Sequence, residues 1–135
     1  MSSPLDKSSA TSSLPVFDHP TLGSFRAKDG VWTATTPQGI ELSVAGDDSA
    51  PNTKLLEAAL NLLTRFSEVR EQALALLLEQ EEAPGREDFT CYDLELLNED
   101  SPNHFSLSFI LFGDLGGLWR VEFEDGTPEF ITRDD

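Results

Sequence analysis

The sequence predicts an α+β protein: an antiparallel sheet, built from an N-terminal three-strand meander and a C-terminal meander, with one or two helices packed on one face. Three observations carry this. Short runs of alternating apolar and polar residues, separated by Asp-Gly and Pro-Gln-Gly turns, fill residues 21–45 and most of the last fifty positions. Between them lies one leucine-rich stretch whose apolar residues recur at spacings of three and four. The strand-to-strand connections are short, so consecutive strands pair antiparallel.

Each element follows from its residues. Met1 to about Val16 is rich in Ser, Thr and Pro and has too few apolar side chains to offset its ordering entropy. Residues 1–16 are therefore expected to form a disordered tail, and residues 17–135 a single domain. Leu22 to Ala27, the turn Lys28-Asp29-Gly30 and Val31 to Thr36 read as a hairpin, since Asp-Gly supplies the positive φ angles of a tight turn. After Pro37-Gln38-Gly39, Ile40, Leu42 and Val44 alternate with Glu41 and Ser43 in a third strand. Gly46-Asp47-Asp48-Ser49 breaks it and offers capping side chains for a helix that Pro51 opens.

Residues 51 to about 82 are helical. Leu55, Leu56, Ala59, Leu60, Leu62, Leu63 and Phe66 form one apolar stripe, which Val69, Ala73, Leu76 and Leu77 continue. A break at Phe66-Ser67, with Ser67 as a cap, gives two helices or one kinked helix. Pro84-Gly85 ends this region. Tyr92, Leu94 and Leu96 then define a strand, as do Phe105, Leu107, Phe109 and Leu111, and Trp119, Val121 and Phe123. Asp125-Gly126 turns the chain back through Phe130 and Ile131.

Charge is distributed very unevenly. Residues 1–78 hold nine acidic and six basic residues, a net of −3, whereas residues 79–135 hold sixteen acidic residues against Arg86, Arg120 and Arg133, a net of −13. Such a field repels nucleic acid and anionic membrane and speeds encounter with basic partners. Strand parity says where it is displayed. If Leu94, Phe105 and Trp119 face the helices, the outer face carries Asp93, Glu95, Ser106, Ser108, Glu122 and Glu124, with Ile110 and Phe112 as an apolar strip beside them. Six positions — Asp93, Glu95, Ile110, Phe112, Glu122 and Glu124 — are the candidate partner-binding residues, an apolar centre ringed by charge. An ordinary solubilising surface, with Ile110 and Phe112 buried under the N-terminal strands, stands as the alternative.

Other chemistry finds less support. Cys91 is the only cysteine, which fits a reducing compartment, and with His104 it lacks the orienting group and oxyanion site of a nucleophilic pair. His19 reads as structural. Asn98-Glu99-Asp100 with Asp114 matches no calcium-loop spacing, and no Cys/His pairs have zinc spacing. No metal, cofactor or catalytic residue is therefore expected. Gly113-Asp114-Leu115-Gly116-Gly117 lacks the lysine of a phosphate loop. Trp32 and Trp119 are expected in the core. The N-terminus shows no basic-then-apolar leader and the sequence no run of eighteen apolar residues, so a cytoplasmic protein is expected.

The strand pair around Gly23 to Thr36, the acidic leucine-rich middle, the "DLELL" strand, the phenylalanine-rich strand and the closing "LWRVEFEDGTPEFITRDD" together resemble a loose group of small acidic bacterial α+β proteins of unknown activity. That group is similar to immunity proteins encoded beside contact-dependent or secreted toxins. The likeness spans roughly residues 19–135, and no residue role carries over. It implies a non-enzymatic protein, monomeric or weakly dimeric, that binds and blocks a toxin acting in the cytoplasm. A carboxylate-based hydrolase using Asp93, Glu95 or Glu122 is the enzymatic alternative. A nucleic-acid mimic or adaptor, binding many basic proteins, is a third.

Overall fold

A computed structural model describes residues 15–80, 89–111 and 118–134. They form the expected α+β architecture: one open eight-stranded sheet with two helices on one face. The strands are β1 (Val16–His19), β2 (Gly23–Lys28), β3 (Val31–Thr35), β4 (Glu41–Ala45), β5 (Phe89–Leu96), β6 (Phe105–Leu111), β7 (Leu118–Glu124) and β8 (Thr127–Asp134). Their spatial order is their sequence order, β1 to β8. Both Asp-Gly turns form as expected, with φ of 55° and 81° at Asp29 and Gly30, and 53° and 79° at Asp125 and Gly126.

The helices, α1 (Thr53–Thr64) and α2 (Phe66–Gln80), join β4 to β5. A connection that returns the chain to the same end of the sheet makes the next strand parallel, so β4–β5 is the one parallel pair in an otherwise antiparallel sheet. The two meanders are thereby fused into a single sheet. α1 packs against β4 and α2 against β7 and β8. Their stripe, including Leu55, Leu62, Val69 and Leu77, closes on Phe25, Trp32, Leu42, Leu94, Leu107, Phe109 and Val121 in one continuous core.

Several local expectations are corrected. The cap of α1 is Asn52, whose Oδ1 accepts from the Leu55 N–H at 3.1 Å. Asp47 instead closes a preceding turn, accepting from the N–H groups of Ser49 and Ala50, which hold its carboxyl below the usual range. The helix break lies one residue early, at Arg65. An additional edge strand, β1, pairs with β2 and begins at Val16, inside the expected tail. His19 ends it structurally, its Nδ1 accepting from the N–H groups of Thr21 and Leu22.

The most consequential correction is in β5. A bulge between Cys91 and Asp93 shifts the register, so Cys91 faces the helices opposite Phe109 while Tyr92 is exposed. The cause is readable in the residues: Phe89 and Cys91 are out of phase with Leu94 and Leu96, and one extra residue lets both pairs face the core.

Candidate acidic trough on the outer sheet face

The helices leave the other face of the sheet uncovered, and strand register arranges it in rows. One row runs Thr35, Glu41, Asp93, Ser108, Arg120, Thr132 from β3 to β8. The next runs Thr33, Ser43, Glu95, Ser106, Glu122, Phe130. Serines on β6 therefore stand between the carboxylates of β5 and the charged residues of β7. This spacing relieves the cross-strand repulsion that directly opposed carboxylates would create.

Short side chains between long ones make a trough. Parity alone sends Ser106 and Ser108 to water, yet both are buried, shadowed by their neighbours on β5 and β7. Asp93, also expected in solvent, is only 8% exposed. Glu95 is partly covered and meets Arg120, Nη2 to Oε1, at 3.9 Å. Glu122 and Glu124 are half-buried and share this face.

At one end, where β5 runs into the β5–β6 connection, the trough opens into a cavity of about 630 Å³. Glu95, Ser106, Arg120 and Glu122 line it from the strands; Leu97, Glu99, Asp100 and His104 line it from the connection. Further in, Asp93 Oδ1 and Ser108 Oγ are buried on cross-strand partners, with no hydrogen bond of good geometry between them or to another described residue. Burial pushes the Asp93 carboxyl above the usual carboxylate range, and Glu95 and Glu41 push the same way. Ser108 and Arg120 oppose that shift without reversing it.

Of the candidate partner-binding residues, the trough brings together Asp93, Glu95 and Glu122. Ile110 lies one row beyond Asp93 and Ser108 and is 44% exposed, so the N-terminal strands do not cover it. Phe112, like Asp114 and the glycine-rich segment 113–117, lies outside the described residues. Sequence reasoning did not single out Arg120, Ser106 or Ser108 for the site. The serines' signal was available in their alternation with phenylalanine and leucine on a strand flanked by acidic ones.

The remaining candidates separate. Cys91 sits on the core face, where burial, and then Asp93, push its thiol up to about 12. His104 lies five residues along the chain from Phe109, the cross-strand partner of Cys91, on the order of 17 Å away at the usual strand rise. The two form no pair. Among the described residues no group of three His, Cys, Asp or Glu side chains is placed to hold a metal ion. No described helix is long and apolar enough to cross a membrane. No family model, curated protein or solved structure matches this chain.

Proposed function

We propose that this chain is a non-enzymatic binding protein whose acidic outer sheet face docks a basic protein surface. We further propose, from the resemblance to immunity proteins, that the partner is a bacterial toxin neutralised in the cytoplasm. The observation that carries the reading is the trough: a sheet face that the described helices leave uncovered, with carboxylates on both walls, opening into a cavity. Toxins that act on nucleic acids or nucleotides present positive active sites, and an acidic face of this kind suits their occlusion.

The test pairs the protein with the product of a large secreted-protein gene adjacent to its own. Co-expression is expected to rescue cells from that product, and binding is expected to be fast and salt-sensitive. Neutralising Glu95, Glu122 and Glu124 together to glutamine should slow association and flatten its salt dependence. Glutamine is preferred to lysine because a cation in place of Glu95 would stand beside Arg120. Unchanged association kinetics in a folded triple variant would remove this face as the docking site.

One observation favours a second reading. A buried carboxyl held above its usual range is what a carboxylate-based hydrolase uses as its acid, and Asp93 with Glu95 supplies such a pair. Asp93 does not line the cavity, however, so a substrate there does not reach it. Hydrolysis of a glycoside or ester by the wild-type chain, abolished in Asp93→Asn, would establish this reading over the first.

A further inference from the structure

We infer that a second cavity, walled by α2 and the start of β5, is a binding site for a small monocarboxylate with an aromatic body. Its position follows from strand register. β4 pairs with β5 only from Glu41 opposite Asp93 onward, so Phe89–Tyr92 run past the start of β4 and leave a notch in the sheet. α2 closes one side of that notch. Phe66, Arg70 and Leu74 recur every four residues and form a single ridge along the helix. The enclosed space is about 470 Å³, within the range of roughly 300–1,000 Å³ that small-molecule sites occupy.

Two features select the ligand. Ile40, Phe66, Leu74 and Phe89 give the cavity an apolar lining, and the two phenylalanines suit an aromatic ring in edge-on or offset contact. The second feature is charge. Arg70 forms no hydrogen bond or ion pair with another described residue. Its field reaches Cys91 on the same lining, where it opposes the rise that burial and then Asp93 impose on the thiol. The start of α2 at Phe66 adds the positive end of a helix dipole to this wall. Glu71 also lines the cavity but is already engaged, which leaves Arg70 as the charge to be matched. A chain of net charge −16 repels anions as a whole, so an anionic group binds only where a local cation of this kind receives it.

The test uses the whole chain at physiological ionic strength and three probes of one shape: 3-phenylpropionate, neutral 3-phenylpropanol and cationic 3-phenylpropylamine. Backbone amide NMR follows each titration. Cys91 is the only cysteine and lines the cavity, so its rate of alkylation by N-ethylmaleimide is a second, site-specific readout. The acid is expected to give saturable shifts centred on Phe66, Arg70, Thr90 and Cys91, and to slow alkylation at saturation. It should bind about fivefold tighter than the alcohol, the change one exposed ion pair produces. The amine should give no saturable shift at these residues. Arg70→Gln, at an exposed position, should abolish the preference for the acid and leave binding of the alcohol unchanged. Shifts of the acid that never saturate, equal binding of acid and alcohol, an unchanged preference in Arg70→Gln, or alkylation untouched by saturating acid would each overturn the inference. None of the residues that line this cavity lines the one in the trough, so this site and the docking reading stand or fall separately.

Discussion

Trp119→Ala is expected to destabilise the protein by about 3–4 kcal/mol, toward the lower part of the range for buried aromatic truncations. Trp119 is 6% exposed on the helix-facing side of β7, 6.2 Å from the Phe89 ring centroid in an edge-on pair, with the Arg133 guanidinium 4.7 Å from its own centroid. Truncation removes the burial of a side chain that covers roughly 150–250 Å², an aromatic pair of roughly 0.5–1.5 kcal/mol and an exposed-side cation–π contact of roughly 0.5–1 kcal/mol. One contribution runs the other way. The Trp119 indole N–H is buried with no partner among the described residues, and deleting it relieves roughly 1–3 kcal/mol of unmet hydrogen bonding.

Trp32 is the internal comparison. It is fully buried, and its indole N–H donates to the Asp47 carbonyl at 2.9 Å. Trp32→Ala gains no such relief and should cost about 5 kcal/mol, the upper part of the same range. The assay is urea denaturation of both variants, with melting temperature as a second readout. A loss of about 4 kcal/mol corresponds to a drop on the order of 10–15 °C for a domain of this size. The decisive result is the order: Trp119→Ala more damaging than Trp32→Ala would refute the argument from the orphan N–H. A near-native Trp119→Ala protein that loses partner binding would instead make Trp119 a surface anchor.

Two further variants test the sheet from either face. Because the folded-state pKa of Asp93 is raised, its protonated form stabilises the fold below the ordinary carboxylate pKa, and this contribution is lost as pH rises through the raised value. Asp93→Asn should therefore be more stable than wild type at pH 8, by a margin that narrows at pH 5; an asparagine variant less stable at pH 8 would contradict the burial argument. Gly46→Ala places a methyl group 2.7 Å from Pro51 Cα and 2.8 Å from Trp32 Cδ1, besides meeting the Ala50 carbonyl, and should cost about 1–3 kcal/mol by overpacking. An unchanged denaturation midpoint would show that the turn after β4 yields freely.

Much of the fold is legible in the residues because local rules and burial agree there. Asp29-Gly30 and Asp125-Gly126 are hairpin turns by φ requirement alone, and the leucine stripe of α1 has only one face to bury. Legibility ends where two local patterns compete. The alternation at Leu94 and Leu96 extrapolates backwards to Tyr92, but the aromatic that needed the core was Phe89, and the bulge resolves the conflict. The cap of α1 eluded a rule satisfied equally by Asp47, Ser49 and Asn52. The parallel β4–β5 junction needs the whole two-helix connection, which no short window contains.

The site was legible in its charge and not in its depth. Parity places Asp93, Glu95 and Glu122 on one face correctly, and from parity alone that face is a flat, solvated surface. Depth depends on the relative lengths of cross-strand neighbours, which requires the register of three strands at once. With serines on β6 between acidic β5 and charged β7, the same residues form a trough, and Asp93 changes from a solvated carboxylate into a buried one. A surface that served only solubility would have no reason to bury a carboxyl against two other carboxylates, since exposed positions confer solubility at less energetic cost. The burial of Asp93 and Ser108 on a face that the described helices leave uncovered is the feature on which the proposed docking reading rests, and the Glu95, Glu122 and Glu124 triple variant tests that reading.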